Sequence, residues 1–215
     1  MRVFLRSLVA CLSFATFACT AADATDYKEG EQYKEVREKQ PVPDKKRVQV
    51  EEIFWYGCQH CFHFDPSIEA WKKTKAGDVD FVRIPNSLGR PEGVVHQKAF
   101  YTAEALGIGD KIHVPLFNGI HEQHLPLYTQ DAIRTFFNQQ TGIMPDLFDA
   151  TFTGFAVDSR VRRADGLMKA YGISSVPAIV VGGKYTTNAS MAGNFEGMIK
   201  VTDFLIDKVR QEQKK

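Results

Sequence analysis

The sequence predicts an α/β fold in which a long helical segment interrupts the sheet-forming part of the chain. Residues 48–84 show the order strand, helix, strand, which implies a parallel pair of strands joined by a right-handed crossover. About ninety positions without a strand signal follow, and two short strand-like segments then flank Gly182 and Gly183. Two strands around a two-residue Gly-Gly loop are typical of a β-hairpin. We therefore expect one sheet with an all-helical insertion.

The composition is that of a folded protein and gives no sign of a strongly charged partner. The 215 residues fit one large domain or two small ones, and the hydrophobic fraction of 44% is too high for a disordered chain. The 27 Lys and Arg residues nearly balance the 26 Asp and Glu residues. Neither nucleic acid nor an anionic membrane surface is therefore an expected partner.

Residues 1–22 have the pattern of a secretory signal peptide. Arg2 and Arg6 precede a short apolar run, and small residues follow it. The run is nearer half of the ~20 apolar residues that a membrane span needs. We expect cleavage after Ala22, with Ala24 as a second candidate position, and a soluble, exported mature protein in a compartment where disulfides persist.

Cleavage there would reduce four cysteines to two. It would remove Cys11 and Cys19 and leave Cys58 and Cys61. A lipid-anchored form through Cys19 is not favoured, because residues 16–18 lack the aliphatic residue and small pair of a lipoprotein signal.

The first elements follow from the spacing of apolar residues. The polar segment 23–46 predicts an N-terminal arm with little structure of its own. Residues 48–55 alternate and then become continuously apolar, as in a strand that enters a buried sheet. A helix is expected over 58–77, with a kink at Pro66. Its apolar residues recur at spacings of three and four: Cys61, Phe64, Ile68 and Trp71. Residues 79–84 alternate again and predict a second strand.

The later elements are mostly helical. Gly and Pro residues punctuate four predicted helices, over 94–106, 114–124, 131–140 and 144–152. A fifth helix, the two hairpin strands and an amphipathic final helix follow, over 160–171, 178–181, 184–186 and 195–210. The expected division is a sheet-forming domain over 27–86 plus 164–215 and a helical insertion over 87–163.

The strongest chemical signal is the segment Cys58-Gln59-His60-Cys61. Two intervening residues place the cysteines about one helical turn apart, within reach of a disulfide. The pair follows a strand and opens a helix, whose free N–H groups and partial positive charge lower the pKa of a thiol in the first turn. Cys58 is the expected nucleophile and Cys61 the resolving thiol. His60 would favour the thiolate and so strengthen the disulfide as an oxidant.

Other interpretations of these residues are weaker. A zinc site would need two more ligands beyond the pair, and His63 is too close in sequence to complete the set alone. Haem attachment would need a histidine where Phe62 stands. A structural disulfide closing so small a loop would constrain the unfolded chain little. His121 and His124 lack the spacing of a metalloprotease helix, so we expect both to be solvated.

A second feature lies directly before the strand predicted over 178–181. Val176 and Pro177 stand there. Proline is tolerated at the first residue of a strand, and an X–Pro bond can be cis. The sequence leaves the isomer of this bond open.

On these residues the chain resembles the thioredoxin superfamily and, within it, the DsbA family of periplasmic thiol:disulfide oxidoreductases. The resemblance covers about residues 27–212. The features that carry it are Phe54-Trp55-Tyr56-Gly57-Cys58-Gln59-His60-Cys61, Pro66, Val176-Pro177 and a helical insertion containing Val114-Pro115-Leu116-Phe117. It implies a thioredoxin-like fold with an inserted all-helical subdomain.

The resemblance also implies roles around the cysteine pair. Cys58 is the nucleophile, Cys61 its partner, and His60 the histidine of the family. Pro177 matches a cis-proline that faces the disulfide, and Val176 contributes to substrate contact.

The resemblance also implies two further residues that would lie beneath the cysteine pair and adjust its redox potential. Glu52, six residues before Cys58, matches a buried acid, and Arg83 falls where a paired base is expected. Gln59 departs from the usual family pattern, which has proline there, and it adds an N–H group and frees the backbone. We expect a still-oxidising pair with a somewhat altered potential.

The implied activity is donation of the Cys58–Cys61 disulfide to reduced, extended, exported polypeptides in the periplasm. No metal, nucleotide or prosthetic group is implied. A DsbB-type membrane quinone reductase would reoxidise the pair, and the protein would be a monomer.

Two alternatives differ in testable ways. A periplasmic isomerase or reductase would carry an N-terminal dimerisation domain, for which the roughly 25 mature residues before the first strand leave no room. A non-catalytic peptide-binding chaperone would keep its activity when Cys58 is replaced.

Overall fold

The computed structural model describes residues 26–214. The predicted signal peptide, with Cys11 and Cys19, lies outside these residues and stays a prediction. In the described part, no helix is both long and apolar enough to cross a membrane.

The described strands form one mixed sheet in the order β1-β5-β4-β2-β3. Their bounds are β1 Lys34–Glu35, β2 Val48–Phe54, β3 Val79–Pro85, β4 Ala178–Val181 and β5 Tyr185–Asn188. The predicted parallel pair is confirmed, because β2 and β3 are hydrogen-bonded in parallel, with Val48 opposite Val79. The predicted hairpin is confirmed as well: β4 and β5 are antiparallel neighbours around Gly182 and Gly183, whose φ angles are 62° and 64°.

The helices follow the predicted order, with shifted ends. Their bounds are α1 Gln59–Thr74, α2 Pro91–Ala105, α3 Gly109–His121, α4 Gln130–Thr141, α5 Pro145–Phe152, α6 Phe155–Tyr171, α7 Ala189–Ala192 and α8 Phe195–Gln213. The α1 helix runs through Pro66 as one element. The four-residue α7, which the Asn188 side chain caps, was not predicted from the sequence. The predicted domain division stays a prediction, and α6 runs through its boundary at 163–164.

The expectation for the N-terminal arm was wrong at one place. Lys34 and Glu35 form β1, which pairs with β5 at one side of the sheet. The exposed charges of these two residues hid the strand from pattern analysis. Their neighbours Tyr33 and Val36 are both buried at 5% exposure and fix the arm to the core.

Two apolar clusters cover the sheet, and the cysteine helix contributes to both. One cluster joins β2 to α2–α6 and includes Ile53, Phe54 and Cys61. The other joins the sheet to α8 and includes Phe64 and Ile68 of α1. Because α1 is anchored in both clusters, its first turn is held at the end of β2, where Cys58 lies.

Candidate active site

Cys58 caps the N-terminus of α1 through its side chain. It has extended backbone angles, and its Sγ accepts a hydrogen bond from the backbone N–H of Cys61 at 3.4 Å. Both thiols are free in this structure; Cys58 is half-buried, whereas Cys61 is fully buried. The two sulfur atoms of one short segment therefore meet very different surroundings.

These surroundings separate the acidities of the two thiols. The hydrogen bond from the Cys61 thiol, followed by the backbone N–H groups of Cys61 and His60 and the charge of His60, lowers the pKa of Cys58 to about 6, although burial opposes this. Burial raises the pKa of Cys61 far above its ordinary value, and the charges of Cys58 and Glu52 add to the effect. At neutral pH the structure thus favours a thiolate at Cys58 and a thiol at Cys61.

The Val176–Pro177 segment faces Cys58 across the site. Its peptide bond is cis, and the Val176 carbonyl accepts a hydrogen bond from the Cys58 thiol at 3.5 Å. A groove of about 370 Å³ begins at this point. It is lined by His60, Ser175, Val176, Pro177, Asn188, Ala189, Ser190, Asn194 and Phe195. An extended chain lying in this groove would pass beside the Cys58 sulfur.

The two residues between the cysteines point outward. Gln59 and His60 are both exposed. The Gln59 amide nitrogen lies 3.2 Å from Nε2 of His63, one turn further along the exposed side of α1. His60 contacts the groove, whereas Gln59 faces away towards His63.

Glu52 and Arg83 form a separate cluster beneath the site. They lie opposite each other in the parallel register of β2 and β3, and the Arg83 Nε donates to Glu52 at 2.9 Å. Arg83 also donates to Asp65 at 3.0 Å and to Glu69 at 2.6 Å. Glu52 is 1% exposed, and burial raises its pKa to about 7 against the opposing charge of Arg83. The Arg83 guanidinium is thus hydrogen-bonded to three carboxylates.

Several polar residues around this cluster were not predicted from the sequence. Asp65, four residues after Cys61 on α1, is buried and lies 2.9 Å from Nε2 of His113. The His113 Nδ1 in turn lies 2.8 Å from the Tyr56 hydroxyl. The spacing of four residues on one helix face was a usable signal for Asp65, but nothing in the sequence placed α3 against it.

The expectation that His121 is solvated was wrong. Its Nε2 lies 2.7 Å from the Tyr56 carbonyl, and its ring stacks on Phe62 with centroids 4.9 Å apart. His124, three residues later, is exposed as expected. The difference arises because α3 ends at His121, so only this residue still faces the cysteine segment.

No group of three or more His, Cys, Asp or Glu residues between Asp26 and Lys214 could hold a metal ion.

Comparisons with known proteins point in one direction. The family model of the DSBA-like thioredoxin domain matches residues 49–200. The thiol:disulfide interchange protein DsbA of Pseudomonas aeruginosa is 36% identical over 210 residues, which cover 97% of this chain and 98% of that protein. DsbA of Azotobacter vinelandii is 38% identical over 188 residues, which cover 87% of each chain.

Solved structures agree with these matches. The crystal structure of Pseudomonas aeruginosa DsbA superposes with a TM-score of 0.83 at 36% identity, covering 89% of this chain and 99% of that one. The oxidoreductase DsbA from Xylella fastidiosa gives 0.80 at 31% identity, covering 86% and 98%. The predicted thioredoxin-like fold with a helical insertion is confirmed.

Proposed function

The chain belongs to the DSBA-like thioredoxin family and is a thiol:disulfide oxidoreductase, and from this premise we propose that it donates the Cys58–Cys61 disulfide to reduced, extended, exported polypeptides. The observation that carries the proposal is the contrast between the two thiols. Cys58 is accessible and its pKa is lowered to about 6, whereas Cys61 is buried and its pKa is raised. A cysteine pair whose reduced form is stabilised in this way is a strong oxidant and readily transfers its disulfide to a substrate.

The reaction proceeds by two exchanges. A substrate thiolate attacks the Cys58 sulfur, the bond between Cys58 and Cys61 breaks, and Cys61 leaves and takes up a proton. A second substrate thiolate then attacks the substrate sulfur of the mixed disulfide, and Cys58 leaves as a stable thiolate. The substrate loses two electrons and two protons; the pair gains both electrons, Cys61 takes one proton and the solvent takes the other.

The surrounding residues have distinct proposed roles. His60 adds a favourable charge near the Cys58 thiolate, and Val176 and Pro177 hold the substrate chain along the groove. Glu52, with Arg83 beside it, adjusts the protonation of Cys61 from below. Gln59 tunes the potential through the backbone at the start of α1.

The setting of the reaction is part of the proposal. Residues 1–22 direct export to the periplasm, where the mature protein works as a monomer. A DsbB-type membrane quinone reductase takes the electrons and restores the disulfide. The sequence pattern of the leader supports the first step, and family membership supports the second.

The test uses oxidised mature protein and a reduced peptide with two cysteines. We expect stoichiometric oxidation of the peptide by the wild type and none by Cys58→Ser. If the wild type leaves the peptide reduced but reshuffles scrambled ribonuclease, the protein is an isomerase. If Cys58→Ala keeps an activity that protects unfolded chains and the wild type oxidises nothing, it is a chaperone.

A further inference from the structure

The two residues before Gly57 and Cys58 are contacted by three histidines of the helical segment. The Trp55 Nε1 donates to Nδ1 of His96 in α2 at 3.0 Å. In α3, the His113 Nδ1 lies 2.8 Å from the Tyr56 hydroxyl, and the His121 Nε2 lies 2.7 Å from the Tyr56 carbonyl. Both side chains and one carbonyl of the dipeptide are therefore hydrogen-bonded by the insertion.

Two of these histidines are fixed by a second bond. The His96 Nε2 donates to the Leu127 carbonyl at 2.8 Å, which leaves Nδ1 as the acceptor for Trp55. The His113 Nε2 donates to Asp65 at 2.9 Å, so its Nδ1 accepts from the Tyr56 hydroxyl. His96 is 1% exposed, and burial lowers its pKa to about 4, which keeps the ring neutral.

The third histidine is held by stacking. The His121 ring lies almost parallel to the Phe62 ring, at an angle of 18°. Its Nε2 donates to the Tyr56 carbonyl, since a carbonyl can only accept. This contact joins the last residue of α3 to both the cysteine helix and the segment that leads into it.

The dipeptide is coupled directly to the nucleophile. The Cys58 N–H donates to the Trp55 carbonyl at 3.0 Å. The Trp55 ring covers Gly57 so closely that a Cβ atom there would lie 2.4 Å from it. A shift of Trp55 or Tyr56 would therefore move Cys58 relative to the N–H groups at the start of α1 that stabilise its thiolate.

We propose that His96, His113 and His121 are positioning residues that hold the Trp55–Tyr56 dipeptide and thereby set the reactivity of the Cys58 sulfur. The proposal rests on the proposed function, because it concerns the nucleophile of that reaction. It assigns the helical insertion a role in the chemistry of the cysteine pair.

The first test compares His121→Phe with His121→Gln in the full mature protein. Phe keeps a ring against Phe62 and loses the donor, whereas Gln keeps a donor. We expect His121→Phe to raise the Cys58 pKa and to shift the glutathione equilibrium of the pair toward the disulfide by about two- to tenfold, the equivalent of one hydrogen bond. His121→Gln should recover part of both changes.

The matched control is His124→Asn. His124 is exposed and has a positive φ of 53°, which asparagine tolerates. We expect this variant to match the wild type in Cys58 pKa and in equilibrium. The proposal would be overturned if His121→Phe had the same Cys58 pKa and glutathione equilibrium as the wild type. It would also be overturned if folded His121→Phe and folded His121→Gln showed equal changes in both quantities.

A second variant tests another bond of the set. Tyr56→Phe removes only the hydroxyl that faces His113, and we expect a rise of the Cys58 pKa in the same direction. An unchanged Cys58 pKa in a folded Tyr56→Phe protein would remove His113 from the proposal. The Cys58 pKa is read from thiolate absorbance on the reduced protein, so it tests the positioning even if the wild type fails to oxidise peptides.

Discussion

At the scale of single residues, the thiols of Cys58 and Cys61 have pKa values that are shifted in opposite directions, although they are only three positions apart. The helix start donates N–H groups to Cys58, whereas Cys61 lies in the apolar core. Thiolate is the reactive form, so of the two cysteines in the described part of the chain Cys58 is the expected nucleophile at neutral pH, whereas Cys61 is buried and stays protonated.

The pH dependence of alkylation tests this assignment. Reduced protein should react with iodoacetamide at a rate that rises with pH and reaches half its maximum near pH 6, because the Cys58 pKa is about 6. Mass spectrometry should place the label on Cys58. A midpoint near the ordinary cysteine pKa, or a label on Cys61, would contradict the assignment.

Replacement of the buried thiol should trap the intermediate. In Cys61→Ser the mixed disulfide between Cys58 and a substrate lacks its internal resolving thiol, so a covalent complex should accumulate. In Cys58→Ser none should form. The substrate is a single-cysteine peptide activated as its mixed disulfide with thionitrobenzoate, so that the Cys58 thiolate attacks the peptide sulfur and thionitrobenzoate leaves. Non-reducing gel electrophoresis distinguishes the two variants, and a complex formed by Cys58→Ser would reverse the proposed roles.

The sequence could predict that the cysteine pair opens a helix because the signal for this placement is local. The spacing of the cysteines and the junction between strand and helix can both be recognised within the eight consecutive residues 54–61. His121 was misjudged because its partner, the Tyr56 carbonyl, lies 65 positions earlier, and no local pattern encodes that contact.

At the scale of elements, the parallel register of β2 and β3 creates the buried charge cluster. It places Arg83 opposite Glu52, and α1 adds Asp65 and Glu69. Strand alternation predicted both strands, but register and the approach of α1 depend on the packing of the whole sheet. The pair of Glu52 and Arg83 therefore came only from family resemblance, and Asp65 was not predicted.

Loss of Arg83 should be costly. Arg83→Met would leave three carboxylates without their shared partner, and removal of one member of a buried ion pair typically costs about 3–5 kcal/mol. Urea unfolding of the oxidised protein measures the loss. Arg47→Met is the control, because the pair of Arg47 and Asp80 lies at the surface, and its midpoint should stay near the wild type. Equal midpoints for both variants would show that the cluster contributes little.

At the scale of the whole molecule, folding and redox state are linked. Folding lowers the Cys58 pKa from its ordinary value of 9.0 to about 6. The resulting stabilisation of the reduced protein is complete above pH 9 and is lost as the pH falls through 6. The disulfide form has no thiolate, so its stability lacks this dependence on pH.

The stability of the reduced protein should therefore rise with pH. Between pH 6 and 9, the free energy of unfolding of the reduced wild type should increase relative to that of Cys58→Ser, which shares the other titrating groups. Denaturant titrations at several pH values measure the difference. A difference that stays flat or falls with rising pH would contradict the thiolate assignment.

The central claim is that the pair is an oxidant, and its equilibrium with glutathione tests this most directly. We predict that the Cys58–Cys61 disulfide is reduced at low glutathione concentrations, with a potential clearly less negative than the roughly −270 mV of thioredoxin. A potential close to that of thioredoxin would contradict the claim, because the pair would then retain its disulfide and could not donate it to exported polypeptides.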